Sequence, residues 1–404
     1  MNVPAFRSFR HRNYRLFFWG QLGSLTGTWM QSTAQGWLVY RLTGSSFWLG
    51  LVSFCALLPV LLFSLAGGAL ADRFPKRTIL LAVQTAAMIQ AVALAWLTLA
   101  GDVQVWQIMA LAVCLGLANA VEIPTRQSFL VEMVGREDLH NAIALNSTSF
   151  HLARVLGPSL AGLLVALIGE GPCFALNALS FLAVLWSLAA MRFERATTHG
   201  APRAGLKEHV KEGVCFACRT PLVREVLAVV ALASLMGVST LVLLPVFAGD
   251  VFARGPEGLG ILTASSGFGS MAGALAMACR RGATGLRGIA VASLAGLGAC
   301  LLLFALAPSF WAAAFFLAPC GFCLMALVAS CNTMVQLTTP DGLRGRVMSV
   351  FSTLYLGMAP FGSLLAGSMA QWMGAPAAVA ILGGCCLAGA LWPGAKVLKA
   401  PYNP

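Results

Sequence analysis

Long apolar runs alternate with short polar breaks from one end of the chain to the other. Twelve runs have the length of membrane-crossing helices, at roughly 14–40, 46–70, 78–100, 105–125, 142–168, 172–191, 223–249, 258–279, 288–306, 309–337, 346–370 and 376–393. A bilayer-spanning helix needs about 20 such residues. The breaks carry turn chemistry: "RLTGSS", "GDVQ", "GEGP", "FARGPEG", "APSF" and "MGAP". The first run follows the basic segment "FRSFRHRNYR" and holds Gln21, Gln31 and Gln35. Its length and its polar residues mark a retained span rather than a cleaved signal.

Composition agrees with that pattern. Hydrophobic residues make up 59% of the chain and charged residues 10%, against about 25% charged in a soluble domain. The net charge of +12 is scattered between apolar runs, so it records topology and not a nucleic-acid partner. With an even number of spans, one side of the membrane receives 23 of the 26 Lys and Arg. Arg41 and Arg254 fall on the other side, and Arg154 lies inside a run. The positive-inside rule then places both termini in the cytoplasm, in a multi-pass protein of the cytoplasmic (inner) membrane. The cysteines read as small buried side chains, since most sit inside apolar runs.

The break at about 192–222 is the longest and divides the chain into six-span halves at 1–191 and 223–404. Inside it, "GLKEHVKEGVCFAC" puts Leu206, Val210, Gly213 and Ala217 on one face, the pattern of an amphipathic linker helix on the membrane surface. Cys215-x-x-Cys218 with His209 lacks a second ligand pair, so no metal is expected. The halves repeat one another. "GALA" occurs at 69–71 with its preceding Gly68 and again at 273–276, and "VEMVGREDLHNAIALNS" (131–147) aligns with "VQLTTPDGLRGRVMSVFS" (335–352) at a shift of 204. Val131 then faces Val335, Leu139 faces Leu343 and Glu137 faces Asp341. An even number of spans per unit makes the repeats parallel, about an axis along the membrane normal. Transporters built this way bind substrate between their halves.

"GALADRFPKR" resembles the signature of the major facilitator superfamily between its second and third helices, with Gly68, Asp72, Arg73, Lys76 and Arg77 in place and Pro75 where that pattern has Gly. "ARVLGPSLAG" (153–162) resembles the Gly157-Pro158 signature, with Gly162, on the fifth helix of the superfamily's exporters. "FRHRNYRLFFWGQL", "WLVYRLTGSS", "IPTRQSFLVEMVG" and "RGRVMS" extend the similarity to the enterobactin-exporter-like, drug:proton antiporter branch over nearly the whole chain. The resemblance implies an all-α membrane fold of twelve helices in two six-helix parallel repeats. It implies a latch in which Asp72 holds the start of the eleventh span, near Arg344, Gly345 and Arg346, when the cytoplasmic side closes. Read from the residues alone, Asp72 is either that latch or a helix-end charge balanced by its basic neighbours.

Other polar residues stand inside the runs. Arg154 lies deep in the fifth span, where a charge is expensive and a functional candidate by default. It serves either structural pairing or a substrate or coupling role. His151, one turn earlier, is a hydrogen-bonded bystander or a titrating group. Glu122 and Arg126 form an i,i+4 acid–base pair, as a local salt bridge or with Glu122 as proton carrier. Asp250 is a second, wetter candidate. Gln21, Trp29, Gln31 and Gln35 on the first span, with Asn332 and Gln336 on the tenth, are candidates for lining a central cavity. An apolar cavity with a few amides and aromatics suits a large amphipathic solute.

No phosphate-binding loop, clustered carboxylates or Ser-His-Asp spacing is present. "GFGSMAG" (267–273) lies in an apolar run and reads as close helix packing. A membrane enzyme is thus the remote alternative. The leading expectation is a monomeric, cofactor-free secondary exporter of small amphipathic solutes, driven by protons. The alternative is a lysophospholipid or nutrient carrier of the same fold.

Overall fold

The computed structural model describes residues 4–192, 206–280, 282 and 284–399. A short tight turn, Pro4–Arg10, leads into α1 (Arg12–Thr43), α2 (Ser46–Arg73), α3 (Lys76–Ala100), α4 (Val105–Val134), α5 (Leu139–Ile168) and α6 (Glu170–Ala190). Then follow α7 (Leu206–Arg219), α8 (Pro221–Val251), α9 (Gly255–Ala278), α10 (Leu286–Ala305), α11 (Phe310–Thr338), α12 (Asp341–Met373), α13 (Ala375–Leu391) and α14 (Pro393–Lys399). Among the described residues, eleven helical segments are long and apolar enough to cross a bilayer. These are α2–α6, α8–α12, and α13 continued by α14. The twelfth by length is α1, with 32 residues. Arg12, Asn13, Arg15 and three Gln lower its hydropathy below that of the others. The outer faces of the helices are apolar: Trp96, Trp106, Trp186, Phe315, Trp372 and Leu391 are all more than 60% exposed. Water would not tolerate so much exposed aromatic surface, whereas lipid does.

Several helices run beyond their apolar stretches. α4 continues past Pro124 to Val134, and α12 begins at Asp341 rather than near 346. Arg126 therefore lies within α4, beyond the apolar run that ends near 125, and Arg344 and Arg346 lie in the first two turns of α12, which opens about five residues ahead of the run expected from 346. Backbone i→i−4 bonds do not need apolar side chains, so the apolar run marks where the lipid ends and not where the helix ends. The free N–H groups of the eleventh span belong to the turn at Asp341, ahead of Gly345. Of the face predicted for α7, the side chains of Leu206 and Val210, and that of His209, lie outside the described residues, as do 193–205 and Arg281. Gly213 and Ala217 are buried.

The chain divides into two compact units. The first contains α1, α2 from Cys55 onward, α3–α6 and the residues Gly255–Gly260 that open α9. Its core joins Tyr14 and Phe17 of α1 to Leu80 of α3, Phe129 of α4, and Phe181 and Leu188 of α6. The second contains Gly44–Phe54, α7, α8, the rest of α9 and α10–α14. There α8 is interrupted by wide turns at Ala233–Gly237 and Phe247–Val251, with a tight turn at Val238–Leu243 between them. Gly362 of α12 is pressed onto this irregular stretch: a Cβ there would stand 2.1 Å from the Leu235 carbonyl oxygen. The duplication is visible in the backbone. Gly169 and Gly374, 205 residues apart by number, both adopt positive φ (84° and 85°) immediately before α6 and α13, a conformation open to Gly because it has no Cβ.

Candidate functional site

A cavity of about 380 Å³ opens within the first unit. Gln21, Trp29, Gln31 and Gln35 of α1 line it. Gln84 comes from α3, Asn119 from α4, Phe150 from α5 and Phe181 from α6, with Ala56 and Leu57 of α2 completing the wall. Small residues bring the walls together. A Cβ on Gly116 would lie 2.3 Å from the Ala56 carbonyl oxygen, so α2 and α4 touch backbone to backbone there.

Glu122 and Arg126 are the charged residues among those lining the cavity. Arg126 Nε is 3.1 Å from Glu122 Oε1, and the two side chains are only 13% and 15% exposed, respectively. Gln84 Nε2 donates toward the same carboxylate oxygen at 3.4 Å. About three turns of α4 follow Glu122, so the pair lies well inside the helix and not at its end. A largely enclosed pair of this kind has given up part of the hydration of both ions, and breaking it leaves the remaining charge poorly compensated.

Behind the cavity runs a chain of buried amides. Gln31 Nε2 donates to Gln90 Oε1 at 3.0 Å, and Asn177 Nδ2 donates to Gln31 Oε1 at 2.7 Å. This ties α1 to α3 and α6. Gln84, Gln90, Asn119 and Asn177 were not singled out from the sequence, although an amide in an apolar run was the available signal. Arg154 is half-buried on α5, with its guanidinium 5.5 Å from the centre of the Trp29 ring. An aromatic face attracts a cation through the negative charge of its ring. His151 is buried, its ring edge-on to Phe150 at 5.8 Å. Its Nδ1 has no hydrogen-bond partner among the described residues.

The Gly-Pro segment packs α5 tightly. A Cβ on Gly157 would stand 2.5 Å from Trp29 Cβ and 2.7 Å from the Thr26 carbonyl oxygen. One on Gly162 would stand 2.9 Å from Gly260 Cα. Pro158 is buried within the helix. At the end of α2, Asp72 is exposed and makes no hydrogen bond or ion pair among the described residues. Arg73 beside it is exposed as well, whereas the next two basic residues are engaged: Lys76 Nζ pairs with Glu132 at 2.6 Å, and Arg77 donates to the carbonyls of Leu188 and Ala189 at 2.7 Å each. Gly67 makes the close approach, 2.3 Å from a virtual Cβ to the Ala120 carbonyl oxygen of α4, while Gly68 meets only Pro124 at 4.0 Å. On α12, Arg344 pairs with Asp341 at 2.6 Å, and Arg346 pairs with Glu212 of α7. Asn332 and Gln336 bond to each other at 2.6 Å on α11 and are not among the residues lining this cavity.

Two acids at helix ends, Glu170 and Asp138, hold ion pairs that no local sequence pattern marks. Arg41 grips Glu170 with two bonds of 2.8 and 3.1 Å between α1 and α6. Asp138, before α5, meets His11 at 2.8 Å and Arg10 at 2.7 Å. The hydrogen bond with His11, followed by the charge of Arg10, holds its carboxyl below the usual carboxylate range.

Twelve long helices with lipid-facing apolar surfaces, a parallel repeat and a polar cleft inside a helix bundle define a multi-pass membrane transporter of the major facilitator fold. The chain belongs to the transmembrane secretion effector family of that superfamily, whose pattern it matches over residues 3–398. The family is one of transporters and not of enzymes, which implies a small-molecule solute in a membrane setting. Among its relatives, the multidrug efflux pump Tap of Mycolicibacterium fortuitum is 28% identical over 371 residues, 89% of each chain. The enterobactin exporter EntS of Escherichia coli O1:K1 / APEC is 26% identical over 377 residues, 92% of this chain and 86% of that one. The solved structure of the nucleoside transporter NupG superposes with a TM-score of 0.76 at 13% identity, covering 95% of this chain and 99% of the other. At that identity the likeness concerns the fold alone.

Proposed function

We propose that the protein is a secondary active exporter of small amphipathic solutes, of the drug or siderophore class, working by proton antiport and alternating access. The observation that carries this reading is the Glu122–Arg126 pair in an otherwise uncharged, amide- and aromatic-lined cleft. Burial disfavours the charged carboxylate and the guanidinium favours it. Which effect wins depends on how much water reaches the pair, and a change of access would alter that. Such a carboxylate can load a proton in one state and release it in another. Trp29, Phe150 and Phe181 offer apolar contact to a solute, and Gln21, Gln35 and Asn119 offer hydrogen bonds. Tap and EntS, which their names describe as an efflux pump and an exporter, support the outward direction and the solute class. On this reading the chain acts as a monomer in the cytoplasmic membrane with both termini in the cytoplasm, and its six-helix halves at 1–191 and 223–404 alternate about the linker 192–222. Asp72 is the latch on the cytoplasmic side.

The test is solute flux in proteoliposomes under an imposed pH gradient. The probes are ethidium as a lipophilic cation, a catecholate siderophore and lysophosphatidylcholine. The proposal expects at least one of the first two to be driven by the gradient. Flux of all three that ignores the gradient contradicts proton antiport, and flux of the lysolipid alone selects the lipid carrier.

A further inference from the structure

Gln84 faces Glu122 from α3 and is 5% exposed. Its amide is turned so that Nε2 approaches the carboxylate, 3.4 Å from Oε1. The opposite orientation would set an amide oxygen against a carboxylate oxygen, two acceptors with no proton between them. As it stands, Gln84 Oε1 is buried in the wall of the cleft with no hydrogen-bond partner among the described residues. Buried acceptors of this kind are rare because each carries an uncompensated desolvation penalty. It is an acceptor waiting for a donor beside the one carboxylate of the cleft.

We propose that Gln84 is the positioning residue that receives the proton-loaded form of Glu122. When Glu122 takes a proton from water, its new O–H donates to Gln84 Oε1. Gln84 Nε2 goes on donating to the acid's carbonyl oxygen. The two groups close a cyclic acid–amide pair with two hydrogen bonds. The charge attraction to Arg126 ends at the same moment. Release runs the other way: the O–H bond breaks, the proton returns to water and the carboxylate turns back to Arg126. The charged state keeps one long bond to Gln84 and the neutral state makes two, so Gln84 favours proton loading and offsets part of what the loss of Arg126 costs. Arg126, on the same helix as Glu122, is the charged group that faces the pair. The lining residues of α1, α2, α3, α5 and α6 carry no charge. The nearby ionisable groups of α5 that do not line the cleft are Arg154, over Trp29, and His151, against Phe150.

This inference rests on the reading of Glu122 as the coupling carboxylate, and the experiment separates the two. The purified protein in lipid nanodiscs is titrated by infrared spectroscopy, following the C=O stretch of protonated carboxyls. Subtraction of the Glu122→Gln spectrum isolates the Glu122 band. Gln84→Leu removes both bonds of the neutral state and only the long one of the charged state. Its midpoint should fall below the wild-type midpoint by about half a pH unit to one unit, as expected for one net neutral hydrogen bond. Gln84→Glu keeps the shape but adds a second carboxyl that must share the proton, so its midpoint should rise. Gln84→Glu raises the midpoint by charge repulsion whatever the role of Gln84 and serves to show that position 84 faces the Glu122 carboxyl, whereas a merely structural Gln84 would leave the Gln84→Leu midpoint at the wild-type value. If Gln84→Leu titrates at or above the wild-type midpoint while the Glu122 band persists, the role of Gln84 is overturned. If the wild type shows no titrating band that Glu122→Gln removes, the proton-carrier reading of Glu122 falls first.

Discussion

Asp72 stands exposed at the end of α2 while Ala71 beside it is buried and Lys76 and Arg77 a few residues on are engaged. A charge kept in water with no partner is cheap to hold and free to be used. Its proposed target is crowded. Asp341 already occupies the first turn of α12 and pairs with Arg344, and Glu212 holds Arg346. Asp72 would have to compete with two acids for these guanidinium groups, so the latch is worth little more than an exposed helix-end interaction, about 0.3–1 kcal/mol. Asp72→Asn should therefore lower solute flux by about twofold to fivefold, the factor to which that energy corresponds, with an unchanged amount of folded protein in the membrane. Wild-type flux in quantified proteoliposomes would contradict the latch. Sequence could identify Asp72, because its motif is local. It could not identify Glu212 and Asp341 as competitors, because that competition depends on where α7 packs and where α12 begins.

The Gly-Pro segment of α5 sets the wall of the cleft at the scale of whole helices. Gly157 allows α5 to lie against the backbone of α1 at Thr26 and Trp29. Trp29 in turn carries the Arg154 guanidinium on one side and lines the cleft. Gly157→Val would force Trp29 out of place, at a cost of about 1–3 kcal/mol for overpacking. The expected result is a lower unfolding temperature in detergent and loss of solute binding. Gly23→Ala, on the same α1 with open space around it, should leave the unfolding temperature close to that of the wild type. Equal unfolding temperatures for Gly157→Val and the wild type would show that the α1–α5 contact is looser than described. The Gly-Pro dipeptide was readable in the sequence. Its neighbour across the interface was not, since no local pattern says which turn of α1 it meets.

For the molecule as a whole, the architecture was legible because the bilayer demands one repeated solution: an apolar helix long enough to hide its own backbone. Hydropathy marked the spans, and matches at a shift of 204 marked the duplication; Gly169 and Gly374, 205 residues apart, lie within one residue of that spacing. Helix ends were less legible, as α4 and α12 illustrate, because a helix continues into the interface with polar side chains. Least legible was the cleft. Gln84, Gln90, Asn119 and Asn177 come from three helices, and only folding brings them around Gln31 and Glu122. The sequence does show an isolated acid followed by Arg126 one turn on; it does not show that both side chains are 15% exposed or less and share a cavity of about 380 Å³.

Glu122 is the group proposed to tie solute movement to protons. The most direct test compares wild type with Glu122→Gln in the same proteoliposomes, measuring export of the solute that the wild type moves, with and without an imposed pH gradient. Glu122→Gln should still bind the solute and let it equilibrate, but the gradient should no longer accelerate its flux or drive it uphill. Gradient-driven flux in Glu122→Gln equal to that of the wild type would contradict the account.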